Sequence, residues 1–321
     1  MRRMSAVLAV CAALMQAPAI AESPSDPLSW LGRMATAGQR LNYSGTFIYQ
    51  SGKNFETSRI AHMSDANGEH ERLEVLDGSP REVIRSNSEV RCVLPDQKTV
   101  IIDRPGTRRA FPSRLPVAFG GLAENYRIRK GSVGRVAGLE AQQIILEPKD
   151  DLRFGYQLWA ELQSGLLLKA RTVDDRGEIV EQFTFSDVRI GGEIGSDAFR
   201  PRITKSSDWR IVQANGVEVR KEDSGWALNA PLAGFSLVSV MRRPLGRDRG
   251  EALHMVYSDG LASISVFIEP NDGARAEPGP FASGAINIYK RVIGPYLVTA
   301  LGEVPLRSVQ RLGDAIEPVT R

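Results

Sequence analysis

Residues 41–50 read LNYSGTFIYQ, and this stretch alternates between two faces in the manner of a β-strand. One face is largely aromatic and carries Tyr43, Gly45, Phe47 and Tyr49. The other face is polar. The next four residues, SGKN at 51–54, are a turn signal, so we predict a hairpin that returns over residues 55–62. A strand with one apolar and one polar face is typical of an antiparallel sheet that covers a core on one side.

Further short strands follow, separated by turn residues at roughly ten-residue spacing. We predict them at 71–76, 82–85, 89–94, 99–103, 126–130, 141–148, 156–162, 166–173 and 179–188. About ten or eleven strands in one antiparallel sheet would curl into a partly closed barrel. A helix that begins at Asp26-Pro27 is predicted to cover it, and the proline-rich stretch 104–125 is predicted to be a long loop or irregular helical cover.

A polar, turn-rich stretch at 191–208 separates these strands from a second set. The second set lies at 234–242, 252–257, 262–268, 285–289 and 296–301, and an amphipathic helix through Val309, Leu312 and Ile316 ends it. We therefore predict a mainly β protein of two domains. The large domain, 22–203, is a half-open antiparallel β-barrel with covering helices, and a linker at 204–213 joins it to a smaller α+β domain at 214–321.

The N-terminus has the three parts of a secretory signal peptide. Met1-Arg2-Arg3 is cationic, residues 7–15 are apolar, and Ala19-Ile20-Ala21 is a small-x-small cleavage signal. The apolar run is too short for an ordinary transmembrane helix. We predict a signal peptide at 1–21 and an exported protein; a lipid-attachment site ending at Cys11 is the alternative, which the bulky Val10 disfavours. Cys92 is then alone in the mature chain, and its alternating neighbours predict a buried thiol.

Charge and motifs exclude several classes of function. The formal net charge is only +3, which argues against a nucleic-acid-binding protein. The chain has three histidines, whose spacing matches no zinc motif, and it lacks a Gly-x-Ser-x-Gly elbow and a glycine-rich phosphate loop. We predict no catalytic residue, no metal and no cofactor, and interpret the chain as a protein that binds.

The concave face of a curled sheet becomes an apolar pocket wherever its own side chains do not fill it. The candidate lining residues are Tyr43, Phe47, Tyr49, Leu73, Val75, Leu158, Phe183 and Phe185. The alternative is that they fill an ordinary core. Near the mouth, a basic loop could contact the anionic groups of an acyl-chain ligand through Arg104, Arg108, Arg109 and Arg114, because guanidinium groups suit carboxylate and phosphate. The alternative for these arginines is a solubilising charge with no specific contact.

Several segments together resemble one family, the RseB/MucB proteins of Gram-negative bacteria. They are 41–50, 71–83, 155–159, 165–169, 258–270 and 301–305. The resemblance covers essentially the whole mature chain, in the right order.

The resemblance implies a fold and a role. RseB/MucB proteins are periplasmic regulators of the envelope-stress sigma factor, with a large domain like the LolA/LolB lipoprotein carriers and a small domain on a flexible linker. They bind the periplasmic domain of a membrane-spanning anti-sigma factor of the RseA/MucA type and shield it from a DegS-like protease. Lipid or lipopolysaccharide is thought to release the complex, and the family self-associates. A LolA-type lipid carrier is the alternative function, but such a carrier does not need a second domain.

We predict that the anti-sigma factor contacts the second domain around Arg242-Arg243 and the strand 261–267, whose edge could accept peptide backbone. The candidate contact residues are Arg242, Arg243, Leu261, Ser263, Ser265 and Phe267. The alternative is that the side chains of this strand pack in the protein core, which we favour for Val266 and Ile268.

Overall fold

The computed structural model describes residues 26–104, 121–203, 207–245, 250–271, 273 and 277–319. The predicted signal peptide lies outside these residues. No helix in the described ranges is long and apolar enough to cross a membrane.

A twelve-stranded sheet forms the large domain. In chain order its strands are β1 (Tyr43–Ser51), β2 (Asn54–Asp65), β3 (Gly68–Val75), β4 (Glu82–Ser86), β5 (Glu89–Leu94), β6 (Thr99–Asp103), β7 (Tyr126–Val136), β8 (Leu139–Pro148), β9 (Gly155–Glu161), β10 (Leu167–Val173), β11 (Ile179–Ile190) and β12 (Arg210–Gln213). In space they run β12-β6-β5-β4-β3-β2-β1-β11-β10-β9-β8-β7. Among the described strands β12 and β7 do not pair with each other, so the sheet stays open.

The aromatic strand β1 lies in the middle of this sheet, between β2 and β11. Its pairing with β11 shifts register between Thr46 and Phe47. Gly45 lies just before that shift, and a Cβ added there would come within 2.3 Å of the Asp187 carbonyl oxygen. The glycine is therefore required for the two backbones to approach.

Helix α1 (Pro27–Arg40) packs against the concave face. Asp26 caps it by accepting a hydrogen bond from the backbone N–H of Ser29 at 2.8 Å, as expected for an N-cap. The helix buries Trp30, Leu31 and Met34 almost completely, in one core with Phe47 and other inward side chains of the sheet. Burying side chains of this size contributes about 1.5–3 kcal/mol each. A second, short helix, α2 (Leu122–Asn125), precedes β7.

A seven-stranded antiparallel sheet forms the small domain, in the order β13-β15-β16-β17-β20-β19-β18, beside a two-stranded pair, β14-β21. The strands are β13 (Val217–Glu218), β14 (Trp226–Leu228), β15 (Ser236–Pro244), β16 (Glu251–Ser258), β17 (Ser263–Pro270), β18 (Gly279–Ser283), β19 (Ile286–Ile293), β20 (Tyr296–Gly302) and β21 (Ile316–Pro318). Helix α3 (Leu306–Ala315) packs on β19 and β20 and buries Val309 and Leu312. The predicted fold class, mainly β with a smaller α+β domain, is confirmed.

Part of the stretch predicted as a linker belongs to the large sheet. β12 pairs with β6 in parallel, whereas every other pair of neighbouring strands in this sheet is antiparallel among the described residues. Just before β12, the Lys98 ammonium contacts a carboxylate oxygen of Asp208 at 2.7 Å. The chain therefore stays on the large sheet as far as Gln213.

Candidate functional site

The predicted cavity residues lie on the side of the sheet that faces α1. Five of the eight belong to the same buried cluster as that helix: Tyr43, Phe47, Leu158, Phe183 and Phe185. The Phe47 ring meets the Phe183 and Phe185 rings edge-to-face, with centroids 6.2 and 5.9 Å apart. Such contacts favour a close-packed aromatic cluster.

The other three cavity candidates are not among the buried members of this cluster. Val75 is buried, while Tyr49 and Leu73 are half-buried and pack against the cluster. The Tyr49 hydroxyl donates to Glu181 Oε2 at 2.8 Å. That all eight residues line a ligand cavity stays a prediction.

A row of polar side chains crosses this same face. The strand register places Tyr43 opposite His62, His62 opposite Glu71, and Glu71 opposite Arg85, so the row spans β1 to β4. All four side chains are buried, and the Tyr43 ring stacks on the His62 ring with centroids 4.8 Å apart. Within the described chain, no group of three or more His, Cys, Asp or Glu side chains could hold a metal ion.

Burial and neighbouring groups together set the protonation of this row. Burial raises the pKa of Glu71 to about 7, although Arg85 and His62 oppose the rise. Burial alone would lower the pKa of His62. Two hydrogen-bond partners outweigh burial and raise this pKa: Glu69, 3.4 Å from Nε2, and the Leu41 carbonyl, 2.8 Å from Nδ1. The row therefore holds a carboxyl group that binds a proton near neutral pH.

The predicted anionic-group contacts are only partly described. Arg104 is exposed, and its Nη2 lies 3.5 Å from Oε2 of Glu89. Arg108, Arg109 and Arg114 lie outside the described residues. Their contact with a ligand stays a prediction.

The prediction that strand 261–267 offers a free edge to the anti-sigma factor is wrong. This segment contains most of β17, which pairs with β16 on one side and β20 on the other. Alternation identified the strand but not its neighbours, and the edges of the described sheet are β13 and β18. As favoured from the sequence, Val266 and Ile268 are buried core residues.

The side chains named on that strand have different surroundings. Ser263 is exposed, Ser265 is buried, and the Phe267 ring stacks on the His254 ring with centroids 4.2 Å apart. Leu261 packs against the core of the large domain. A contact between these residues and a partner stays a prediction, and Ser263 is the most accessible of them.

The two arginines of β15 that we predicted to contact the partner have different surroundings. Arg242 is exposed. The Arg243 guanidinium donates to the Ala214 carbonyl at 2.9 Å, to His254 Nδ1 at 3.1 Å and to Asp103 of the large domain at 3.2 Å. Arg243 therefore helps to hold the two domains together, and partner contact by either arginine stays a prediction.

A buried ion pair between the domains escaped the sequence analysis. Arg153 Nη1 lies 2.7 Å from Asp259 Oδ2, and neither side chain is exposed. The same Asp259 oxygen accepts a hydrogen bond from the Tyr126 hydroxyl at 3.0 Å. Nearby, Ser308 donates to the Leu152 carbonyl at 2.6 Å. These groups are too far apart in sequence for any local pattern to reveal them.

Comparison with known proteins assigns the family. The model of the MucB/RseB N-terminal domain matches residues 26–203, and the model of the MucB/RseB C-terminal domain matches residues 220–317. The chain belongs to the MucB/RseB family. Its relatives in this family are named as regulatory proteins.

Two curated relatives match along almost their whole length. The sigma factor AlgU regulatory protein MucB of Pseudomonas aeruginosa is 32% identical over 333 residues, which cover 98% of each chain. The sigma-E factor regulatory protein RseB of Haemophilus influenzae is 28% identical over 300 residues, which cover 93% of each chain.

Solved structures of MucB share the arrangement of the chain. MucB in complex with MucA(peri) superimposes with a TM-score of 0.71 at 26% identity, covering 92% of this chain and 100% of that one. MucB alone gives a TM-score of 0.69 at 25% identity, covering 92% and 99%. The similarity to MucB therefore includes both domains.

Proposed function

We propose that this chain is a periplasmic regulator that binds the periplasmic segment of an anti-sigma factor of the RseA/MucA type. The observation that carries the proposal is the match to MucB, which extends over both domains and includes a structure of MucB with MucA(peri) bound. Contacts such as Arg243–Asp103 and Arg153–Asp259 dock the second domain against the first, so the two domains can present a joint surface to a partner.

The binding would act by protection. A protease needs its target extended and accessible, so a segment held by this protein is shielded from a DegS-like protease and the sigma factor stays sequestered. Two domains on one chain, with the boundary after β12, hold one segment at a raised effective concentration. The chain itself is not proposed to catalyse a reaction.

Release would follow from linkage. One arrangement of the two domains holds the anti-sigma segment. A lipid or lipopolysaccharide that binds a different arrangement more tightly weakens the complex, by an amount set by its difference in affinity for the two arrangements. The contacts Arg153–Asp259 and Arg243–Asp103 define a docked arrangement that such a ligand could favour or oppose.

The proposal is tested by fluorescence anisotropy. The mature chain, from residue 22 onward, is titrated into a labelled periplasmic segment of an RseA/MucA-type anti-sigma factor. We expect saturable binding to this segment and none to a scrambled segment of the same composition. Equal binding to both segments, or to neither, would overturn the proposal.

A further inference from the structure

Both ring nitrogens of the buried His62 face hydrogen-bond acceptors. Nδ1 lies 2.8 Å from the carbonyl oxygen of Leu41, and Nε2 lies 3.4 Å from Oε1 of Glu69. A carbonyl and an ionised carboxylate accept hydrogen bonds but do not donate them, so only the doubly protonated ring satisfies both contacts. In either neutral tautomer, one ring nitrogen turns its lone pair toward an oxygen. Loss of a proton from His62 therefore breaks one of the two contacts.

These two contacts join the end of the covering helix to the sheet. Leu41 is the C-cap of α1, and its backbone N–H donates to the Ala37 carbonyl at 3.1 Å. His62 lies in β2 and Glu69 in β3. The doubly protonated ring is thus a bridge from the last turn of α1 to β3. A carboxylate is a stronger acceptor than a backbone carbonyl, so the neutral ring keeps its proton on Nε2 and the contact with Leu41 is the one that breaks.

The last turn of α1 lies between two fixed points. Earlier in the helix, Trp30 and Met34 are almost completely buried. Beyond the C-cap, the Asn42 side chain donates to the Gly192 carbonyl at 3.1 Å. Between these points, residues 38–40 are half-buried or exposed, so apolar burial contributes little to holding this turn. A change at the Leu41 carbonyl therefore acts on the least buried part of the helix.

The surroundings of His62 favour the second proton on its ring. Burial opposes the charged ring, but the hydrogen bonds and the nearby carboxylates outweigh burial and raise the pKa of His62 above its ordinary value of 6.5. The stabilisation is therefore fully present below about pH 6.5 and is lost as the pH rises through the raised pKa. The titratable and charged groups that face this part of the row, among the described residues, are Tyr43 on β1, Glu69 and Glu71 on β3, and Arg85 on β4 beyond Glu71.

We propose that His62 is a proton-operated latch on the helix that covers the concave face. While the ring is doubly protonated, it bridges the last turn of α1 to β3. When the ring loses a proton, the contact with the Leu41 carbonyl breaks and residues 38–41 loosen, while the buried part of the helix stays packed. The large domain thus carries a cover whose end responds to pH. The latch operates without a partner and is separate from the binding of an anti-sigma segment.

Amide hydrogen exchange of the mature chain tests the latch at about pH 5.5 and about pH 8.5, on either side of the titration range of a histidine. Each exchange rate is compared with the rate of an unstructured peptide at the same pH. We expect the protection of residues 38–41 to fall about tenfold or more at the higher pH, which corresponds to about one hydrogen bond, while residues 30–34 keep their protection. The nitrogen-15 resonances of the His62 ring should show two protons at the lower pH and a proton on Nε2 alone at the higher pH.

Matched variants assign the effect to this ring. His62→Gln does not titrate, so the protection of residues 38–41 should be the same at both pH values. His70→Gln makes the same change on the opposite face of the sheet and should keep the difference seen in the wild type. Glu69→Gln removes the carboxylate that favours the charged ring but keeps its shape, so the midpoint of the fall in protection should move to lower pH.

Two results on the unmodified protein would overturn the latch: equal protection of residues 38–41 at both pH values, or a His62 ring that is neutral at about pH 5.5 or keeps its proton on Nδ1 at about pH 8.5. A pH difference that persists in His62→Gln, disappears in His70→Gln or keeps its midpoint in Glu69→Gln would also overturn it. If a variant does not fold, the two results on the unmodified protein still decide. None of these measurements uses the anti-sigma segment, so their failure leaves the proposed function standing.

Discussion

Glu71 should make the stability of the large domain depend on pH, and Glu71→Gln should remove that dependence. Burial raises the pKa of Glu71 from its ordinary value of 4.5 to about 7 in the folded chain. The folded state therefore holds the proton more tightly than the unfolded state. The stabilisation is fully present below about pH 4.5 and is lost as the pH rises through about 7.

The magnitude follows from the two pKa values. One pKa unit corresponds to about 1.4 kcal/mol, so their difference allows a loss of at most about 3 kcal/mol between pH 4.5 and 8. Glutamine has nearly the shape of the protonated acid and does not titrate. The free energy of unfolding of the wild type should thus fall relative to that of Glu71→Gln by up to about 3 kcal/mol over this range.

Urea unfolding at pH 5, 6, 7 and 8, followed by circular dichroism, measures the effect. Because Glu71 also raises the pKa of His62, Glu71→Gln shifts the His62 titration, and the same comparison made in a His62→Gln background isolates the contribution of Glu71. Glu178→Gln is the control, because Glu178 is exposed, and it should follow the wild type at every pH. Parallel pH profiles for the wild type and Glu71→Gln would refute the account of a buried protonated carboxyl group.

Two further predictions concern the contacts that fix the architecture. Asp259→Asn leaves the buried Arg153 guanidinium with Asp150 as its remaining carboxylate, so the loss should be that of one charged hydrogen bond, about 1.5–3 kcal/mol, and should expose the domain interface to limited proteolysis; an unchanged cleavage pattern would contradict this. Gly45→Ala places a Cβ against the Asp187 carbonyl, so it should destabilise the large domain by about 1–3 kcal/mol in urea unfolding, and a neutral effect would show that the strands can move apart.

Local features of the fold were predictable from the sequence, because alternation and turn residues act over a few positions. The SGKN turn after the aromatic stretch indicated the β1–β2 hairpin, and Asp26-Pro27 indicated the start of α1. Alternation also assigned residues correctly to a face. Alternation placed Cys92 on the inward face, but the prediction that its thiol is buried is wrong, because the side chain is only half-buried.

Pairing between distant strands was not predictable, because a strand pattern does not say which strands become neighbours. This is why β17 was assigned a free edge although it is central in its sheet. The same limit hid Arg153 and Asp259, which meet only after both domains have folded. Glu71 and Arg85 were visible as charges in strands, but only the register shows that they face each other with unmet hydrogen bonds.

The central claim is that this chain protects an anti-sigma segment by holding it. The most direct measurement is the cleavage rate of an RseA/MucA-type periplasmic segment by its DegS-like protease, with and without the mature chain, alongside an unrelated substrate of the same protease. The account predicts that the chain slows cleavage of the anti-sigma segment in proportion to the fraction bound and leaves the unrelated substrate unaffected. Unchanged cleavage of the anti-sigma segment at saturating protein would contradict it.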